Sequence, residues 1–186
     1  MAPKVAAWFR EQERRAFVSV EVGGCIIVCD QECEDQDADI LSRLGAEVSK
    51  DLQCAALVAT VHDSDVLTLK LYEGGRVLMD YNSSPAYFEN VDPQPPSGAN
   101  GVALCRAFGS SRVTEVETLL DRWLDPNEEQ DDSPDADELI FEEARLARLA
   151  SLLGIPEAVA LVSYSSLQES DAAELGGGVP IFEKIE

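Results

Sequence analysis

The chain has one histidine in 186 residues, 14 Lys and Arg against 36 Asp and Glu, and few aromatics at 6%. No apolar run approaches the roughly 20 residues that cross a membrane as a helix. Each shortage argues against something. With one imidazole, any histidine-based mechanism must use His62. A formal net charge of −22 repels phosphate backbones. Nucleic acid is therefore not an expected partner, because its recognition rests first on Lys and Arg. Anionic membrane surfaces are disfavoured in the same way. Phosphate-cradling loops are missing too: Gly176-Gly177-Gly178 lacks the following Lys and helix. There is no Gly-x-Ser-x-Gly elbow. Residues 1–15 hold no long apolar core and are broken by Arg10, Glu11, Glu13, Arg14 and Arg15, so no secretory signal is expected. The cysteine count, five, is odd, which fits reduced thiols in a reducing cytosol better than a disulfide framework.

What is present is a globular composition, 45% hydrophobic. High charge implies disorder only when hydrophobicity is low. One domain over 1–186 is expected, long enough to bury a sizeable core. The acid is uneven. No Lys or Arg lies between Trp123 and Ala144, where ten carboxylates run from Asp125 to Glu143. The part at about 125–137, with Pro126 and Pro134, reads as a solvated acidic linker. The glycines at 176–178 mark a flexible tail over about 170–186.

Turn chemistry predicts two hairpins. Residues 17–22 alternate, Gly23-Gly24 follows, and 25–29 is β-rich; 66–73, Gly74-Gly75 and 76–81 repeat the arrangement. Leu41, Leu44, Val48 and Leu52 line one face of a helix over 37–52, and Asp35, Asp37 and Asp39 crowd its positive end. The nearly apolar run 55–61 reads as a central strand buried on both faces. Strand 25–29, the helix and strand 55–61 then form a right-handed βαβ crossover. Helices are also expected over about 100–108, from Arg112 with a stripe Val113, Val116, Leu120 and Trp123, and over 136–153. A strand is expected at 158–164. The fold class predicted is α+β: a mixed, mostly antiparallel sheet with one βαβ crossover and helices packed on it.

That topology gathers Asp30, Cys33, His62, Asp63, Ser64, Asp65, Asn82 and Ser83 at one sheet edge, where ligands of parallel sheets bind. A histidine among carboxylates suits acid–base work or a divalent cation held by Asp63 and Asp65. Asn82 would orient, and Tyr87 and Phe88 in the long 82–98 loop would form a lid. The same four residues, His62-Asp63-Ser64-Asp65, equally make a plain hairpin turn. Zinc at Cys25, Cys29 and Cys33 lacks a matching second pair. A Cys33–His62 nucleophilic pair has no local signature. An EF-hand frame over 131–142 has Ala136 where glycine is needed. No cofactor is expected.

The run His62-Asp63-Ser64-Asp65-Val66-Leu67, then Leu71-Tyr72, Gly74-Gly75, Asp80-Tyr81-Asn82-Ser83, Pro85, Tyr87-Phe88 and Leu152-Leu153-Gly154-Ile155-Pro156 with Tyr164, resembles a set of uncharacterised bacterial proteins of similar size. The resemblance spans about 17–164. It implies a bacterial cytoplasmic protein and carries over no catalytic residue.

Two functions follow as expectations. The first is a non-catalytic, immunity-type or regulatory protein, monomer or homodimer, that binds a basic protein partner through its acidic window or the Asp63–Asp65 face. The alternative is a small enzyme or ligand- or metal-binding protein that works at His62–Asp65.

Overall fold

The computed structural model describes residues 1–89, 91–123, 141–169 and 181–186. The expected acidic linker at 125–137, residues 136–140 of the expected helix, and residues 170–180 of the expected tail lie outside the described residues.

The architecture is α+β, as the element pattern predicts. Helix α1 (Ala2–Glu11) precedes strands β1 (Ala16–Ser19) and β2 (Val28–Asp30). After a single 3-10 turn comes α2 (Ala38–Asp51), then β3 (Ala55–His62), β4 (Val66–Glu73) and β5 (Arg76–Asn82). Helices α3 (Gly101–Phe108), α4 (Val113–Asp121), α5 (Glu142–Leu152), α6 (Glu157–Ala160) and α7 (Tyr164–Glu169) follow, and β6 (Phe182–Ile185) comes last. The strands form two antiparallel three-stranded sheets, ordered β2-β1-β6 and β3-β4-β5. No helix among the described residues is long and apolar enough to cross a membrane.

Both glycine hairpins form. Gly23 has φ 57°, and a Cβ there would lie 2.3 Å from the Gly154 carbonyl oxygen. Glycine thus serves the turn and a close approach at once. The expected βαβ crossover does not form. Strand β2 belongs to the first sheet and β3 to the second, so no parallel pair exists among the described residues. The reason is that α2 has two working faces. Leu44, Val48 and Leu52 pack with Trp8, Phe9 and Val18 under the first sheet. One position round the helix, Gly45 lets the Tyr72 ring and Val58 approach, and Ser49 Oγ accepts from Gly75 N at 3.0 Å. The second face is made of small residues, which a hydrophobic stripe does not reveal.

Strand β3 is also not the central strand expected. It is the edge of its sheet, with none of its residues buried and Ala55 and Ala59 exposed. The centre is β4. Its Leu67, Leu69 and Leu71 are fully buried against Leu104, Val116, Leu120 and Leu149. Its Val66 and Tyr72 are buried on the other face.

Three further expectations change. Residues 158–164 are not a strand: 158–160 lie in α6, 161–163 link the two helices, and Tyr164 begins α7. The Glu34 carboxylate accepts from Tyr164 N at 2.7 Å and Ser165 N at 3.3 Å, which caps α7 from 130 residues away. Trp123 lies beyond α4 and is 38% exposed, outside the buried stripe. The last part of the expected flexible tail is strand β6, whose Ile185 is buried beside Ala16.

Candidate functional site

Three segments meet at the end of the second sheet: the β3–β4 turn, the loop that follows β5, and the first turn of α5. In the β3–β4 turn, Asp65 N donates to His62 O at 2.9 Å, and Asp63 and Ser64 have φ 49° and 65°. Two successive left-handed residues match the twist of a hairpin, and aspartate tolerates that conformation. Helix α5 holds the turn from outside. Glu142 N donates to Ser64 O at 3.0 Å, and Ser64 Oγ donates to Glu143 Oε1 at 2.8 Å.

The loop after β5 is fastened at both ends. Ser83 Oγ accepts from Leu67 N at 2.8 Å, and Ser83 N donates to Leu67 O. The Asn82 and Ser97 backbones exchange two hydrogen bonds of 3.0 Å. Between these points the loop lays its aromatics on the turn. Tyr87 OH donates to Asp65 Oδ2 at 3.0 Å. The His62 ring lies edge-on to Phe88 at 5.0 Å and to Tyr87 at 6.1 Å, with Tyr87 and Phe88 5.0 Å apart. His62 Nε2 is 3.2 Å from Asp63 Oδ2. The hydrogen bond to the Asp65 carboxylate pushes the Tyr87 hydroxyl pKa up, since it favours the protonated phenol. Phe88 is 71% exposed and the Asp63 side chain 73%. An exposed aromatic trio with carboxylates at its rim is therefore the most distinctive surface of this end.

Beside it opens a cleft of about 360 Å³ between the first half of α2 and the sheet. Ala38, Leu41, Val58 and Phe88 give its apolar walls; Asp35, Thr60, Thr68 and Lys70 give polar ones. Thr60 and Thr68 share a 2.6 Å hydroxyl contact, and Lys70 is paired with Asp80 at 3.1 Å. Tyr72 also lines the cleft, and its buried hydroxyl has no hydrogen-bond partner among the described residues.

Of the residues expected at this edge, His62, Asp63, Asp65 and Tyr87 come together. Asn82 sits at the same edge, but its Oδ1 accepts from Ser84 N at 2.8 Å, so it shapes the loop rather than orienting the histidine. Asp30 and Cys33 do not join them. Their placement depended on the crossover that does not form. Asp30 is buried and takes two 2.7 Å hydrogen bonds from Arg14. Burial and the Asp30 carboxylate push the Cys33 thiol up to about 12. Burial does the same to Cys29, also to about 12. A Cys33–His62 nucleophilic pair therefore has no ready thiolate.

Iodoacetamide at pH 8 should leave Cys29 and Cys33 unmodified in the folded chain and label both in denaturant. Labelling of Cys33 in the folded chain at the rate of a free thiol, read by peptide mass mapping, would contradict this assignment. Among the described residues no three His, Cys, Asp or Glu side chains are placed to hold a metal ion. Of the ligand positions of the EF-hand frame only Glu142 is described, and it faces Arg145 at 3.2 Å.

A buried polar cluster with no signal in the sequence stands behind this edge. Arg145 is buried and donates to Tyr81 OH at 2.9 Å, which in turn donates to Leu120 O at 3.0 Å. Burial pushes the Tyr81 hydroxyl up to about 12. Lone charged residues in a helical pattern read as solvent-facing, so nothing local announced this cluster.

No family model, curated protein or solved structure matches this chain, so no residue's role is carried over from a relative.

Proposed function

We propose that this protein is a non-catalytic, acidic binding module, immunity-type or regulatory, that docks a basic protein partner on the His62–Phe88 face. The observation that carries the reading is the exposed trio His62, Tyr87 and Phe88 ringed by Asp63 and Asp65. Aromatic anchors supply contact area at low entropic cost, and partner Lys or Arg side chains stack on such rings while pairing with the carboxylates. The acidic window adds to this. Its last two members, Glu142 and Glu143, bond to Ser64 and so bring acidic residues of that window to the turn. The cations seldom offset them: Arg10, Arg14, Lys70, Arg106, Arg112, Arg145 and Lys184 are each committed to a carboxylate.

The test is native mass spectrometry of the chain purified gently from its own cells. A stoichiometric basic polypeptide at low salt, released as salt rises, is expected. A bare chain at low salt would count against the reading. Phe88→Ala should leave stability within about 0.5 kcal/mol, as for an exposed side chain, while weakening the complex about tenfold, the scale of a hot-spot residue. Equal affinity for that variant, by calorimetry, would remove Phe88 from the contact.

A second reading, a small-ligand site or small enzyme at the same edge, is favoured by the cleft that His62 lines and by the unpartnered Tyr72 hydroxyl. Its mark is a small-molecule mass on the chain in the same spectrum.

A further inference from the structure

Among the described residues no strand pairs with the outer edge of β3, and the pairing pattern shows which groups it offers. Leu67 bonds to Ser83 on the β5 side through both its N–H and C=O. In an antiparallel ladder the direction alternates, so the even residues of β4 bond to β3 and its odd residues do not. Val66, Thr68, Lys70 and Tyr72 pair with His62, Thr60, Val58 and Ala56. The odd residues of β3, Ala55, Leu57, Ala59 and Val61, therefore turn their backbone groups outward. Val61 O accepts from Gln36 Nε2 at 2.8 Å, a side chain standing where a neighbouring strand would donate. Ala55, Leu57 and Ala59 have no such partner among the described residues.

Edge strands are usually blunted by charge, proline or a bulge. This one has none of the three. From Leu52 to Val61 no residue is charged, in a chain with 36 acidic side chains. By contrast, the opposite edge of the sheet is closed at Asn82 by Ser97.

We propose that β3 receives an extended, basic segment of the partner as a fourth strand of this sheet. The inference rests on the acidic-module reading above and names how the partner binds. A strand added here lies about 4.8 Å outside β3 and continues its pleat. Every second side chain then falls on the side of Val58 and Thr60, next to the cleft under α2. A Lys or Arg suits that position. Its stem packs on Leu41 and Val58, and its head meets Asp35, just ahead of the N-cap Asp37 and the first-turn Asp39 of α2. Lys70 does not oppose it, being paired with Asp80. Backbone bonds supply affinity and the alternating pockets supply selectivity, as in other strand additions. A second copy of this chain is the poorer occupant. It would bring two bodies of −22 charge together along an edge that carries no cation to offset them.

The probe is an acetylated, amidated octapeptide of alternating Lys and Val, titrated by calorimetry at low salt. A matched peptide N-methylated at every second residue loses one bonding edge, and Ala59→Pro removes an outward N–H without touching the ladder to β4. Expected are saturable one-to-one binding, about tenfold weaker binding for the methylated peptide and for Ala59→Pro, and slowed amide exchange at Leu57 and Ala59 when the unmodified peptide is bound. The exchange measurement uses the unaltered chain, so the test survives a variant that fails to fold.

Absence of binding, or binding with unchanged exchange at Leu57 and Ala59, overturns strand addition. A dimer of the free chain that Ala59→Pro dissociates overturns it in favour of a second copy. If the peptide binds without using the edge and Asp63→Lys with Asp65→Lys abolishes that binding, strand addition falls and the acidic module stands. If the edge protects as expected but the charge reversal changes nothing, the docking face proposed above falls instead.

Discussion

Arg145→Ala is expected to destabilise the fold by about 3–5 kcal/mol, the cost of leaving a buried charge without its partner. Arg145 is only 6% exposed. Its guanidinium donates to Tyr81 OH and lies 3.2 Å from Glu142, an ion pair by distance whose angle makes no hydrogen bond. Alanine strands the Glu142 carboxylate and leaves a cavity beside Leu120 and Tyr81. The loss has a signature in pH. Burial already raises the Glu142 pKa, and Arg145 is the main opposing influence, followed by the hydrogen bond with Ser83. Without Arg145 it rises further. A carboxyl raised in the folded state holds its proton there over a window in which the unfolded chain has lost it. Stability from this group is therefore present below the unfolded pKa and lost as pH rises through the folded one. Denaturant titrations should show the Arg145→Ala deficit to be largest near neutral pH and smaller in mild acid. The apolar pair Arg145→Met with Glu142→Leu should recover most of it, since well-packed replacements of a buried ion pair are often neutral. A pH-independent deficit, or none, would mean that Arg145 is solvated.

Gly98→Ala is the second large effect, and it acts on the loop that carries Tyr87 and Phe88. Gly98 has φ 80°, and a Cβ there would lie 1.8 Å from the Asp80 carbonyl oxygen. The obstacle is the backbone of β5, which cannot turn aside as a side chain can. Left-handed strain and overpacking together are expected to cost about 2–4 kcal/mol. The cheaper escape is for the 83–98 segment to lift from β5, breaking the Asn82–Ser97 pair. The Tyr87–Asp65 hydrogen bond and the His62–Phe88 contact then go with it. Thermal unfolding combined with the His62 ring resonances in proton NMR would report both effects. A variant with unchanged stability and unchanged His62 shifts would contradict the close approach.

These two positions show where sequence reading reached and where it stopped. Turns were legible because their chemistry is local: Gly23-Gly24, Gly74-Gly75 and His62–Asp65 announce hairpins, and Asp37 and Asn100 cap α2 and α3 as their types predict. The hairpins alone put His62 and Asn82 at one end of the second sheet. That is why His62, Asp63, Asp65 and Tyr87 were found together. Asp30 and Cys33 were assigned there through a crossover, and the crossover depended on which sheet α2 leads to. That choice lies in Gly45 and Ser49, small residues with no hydrophobic signal. The 158–164 segment suggests a strand because its short apolar run has the same composition as the four-residue helix α6 that it forms, and the Glu34 carboxylate that fixes the start of α7 comes from 130 residues earlier. Arg145 carries no signal in the sequence because only the three-dimensional packing of Tyr81 and Leu120 makes a place for it.

The central claim is that the Asp63–Asp65 face, with its aromatic anchors, is where a basic partner docks. The most direct measurement is the affinity of the polypeptide that co-purifies at low salt, for the unaltered chain and for Asp63→Lys with Asp65→Lys. The account predicts affinity weaker by about tenfold or more for the reversed pair, with a shallower dependence on salt. The same affinity and the same salt dependence in both chains would contradict it and move the contact elsewhere on the molecule.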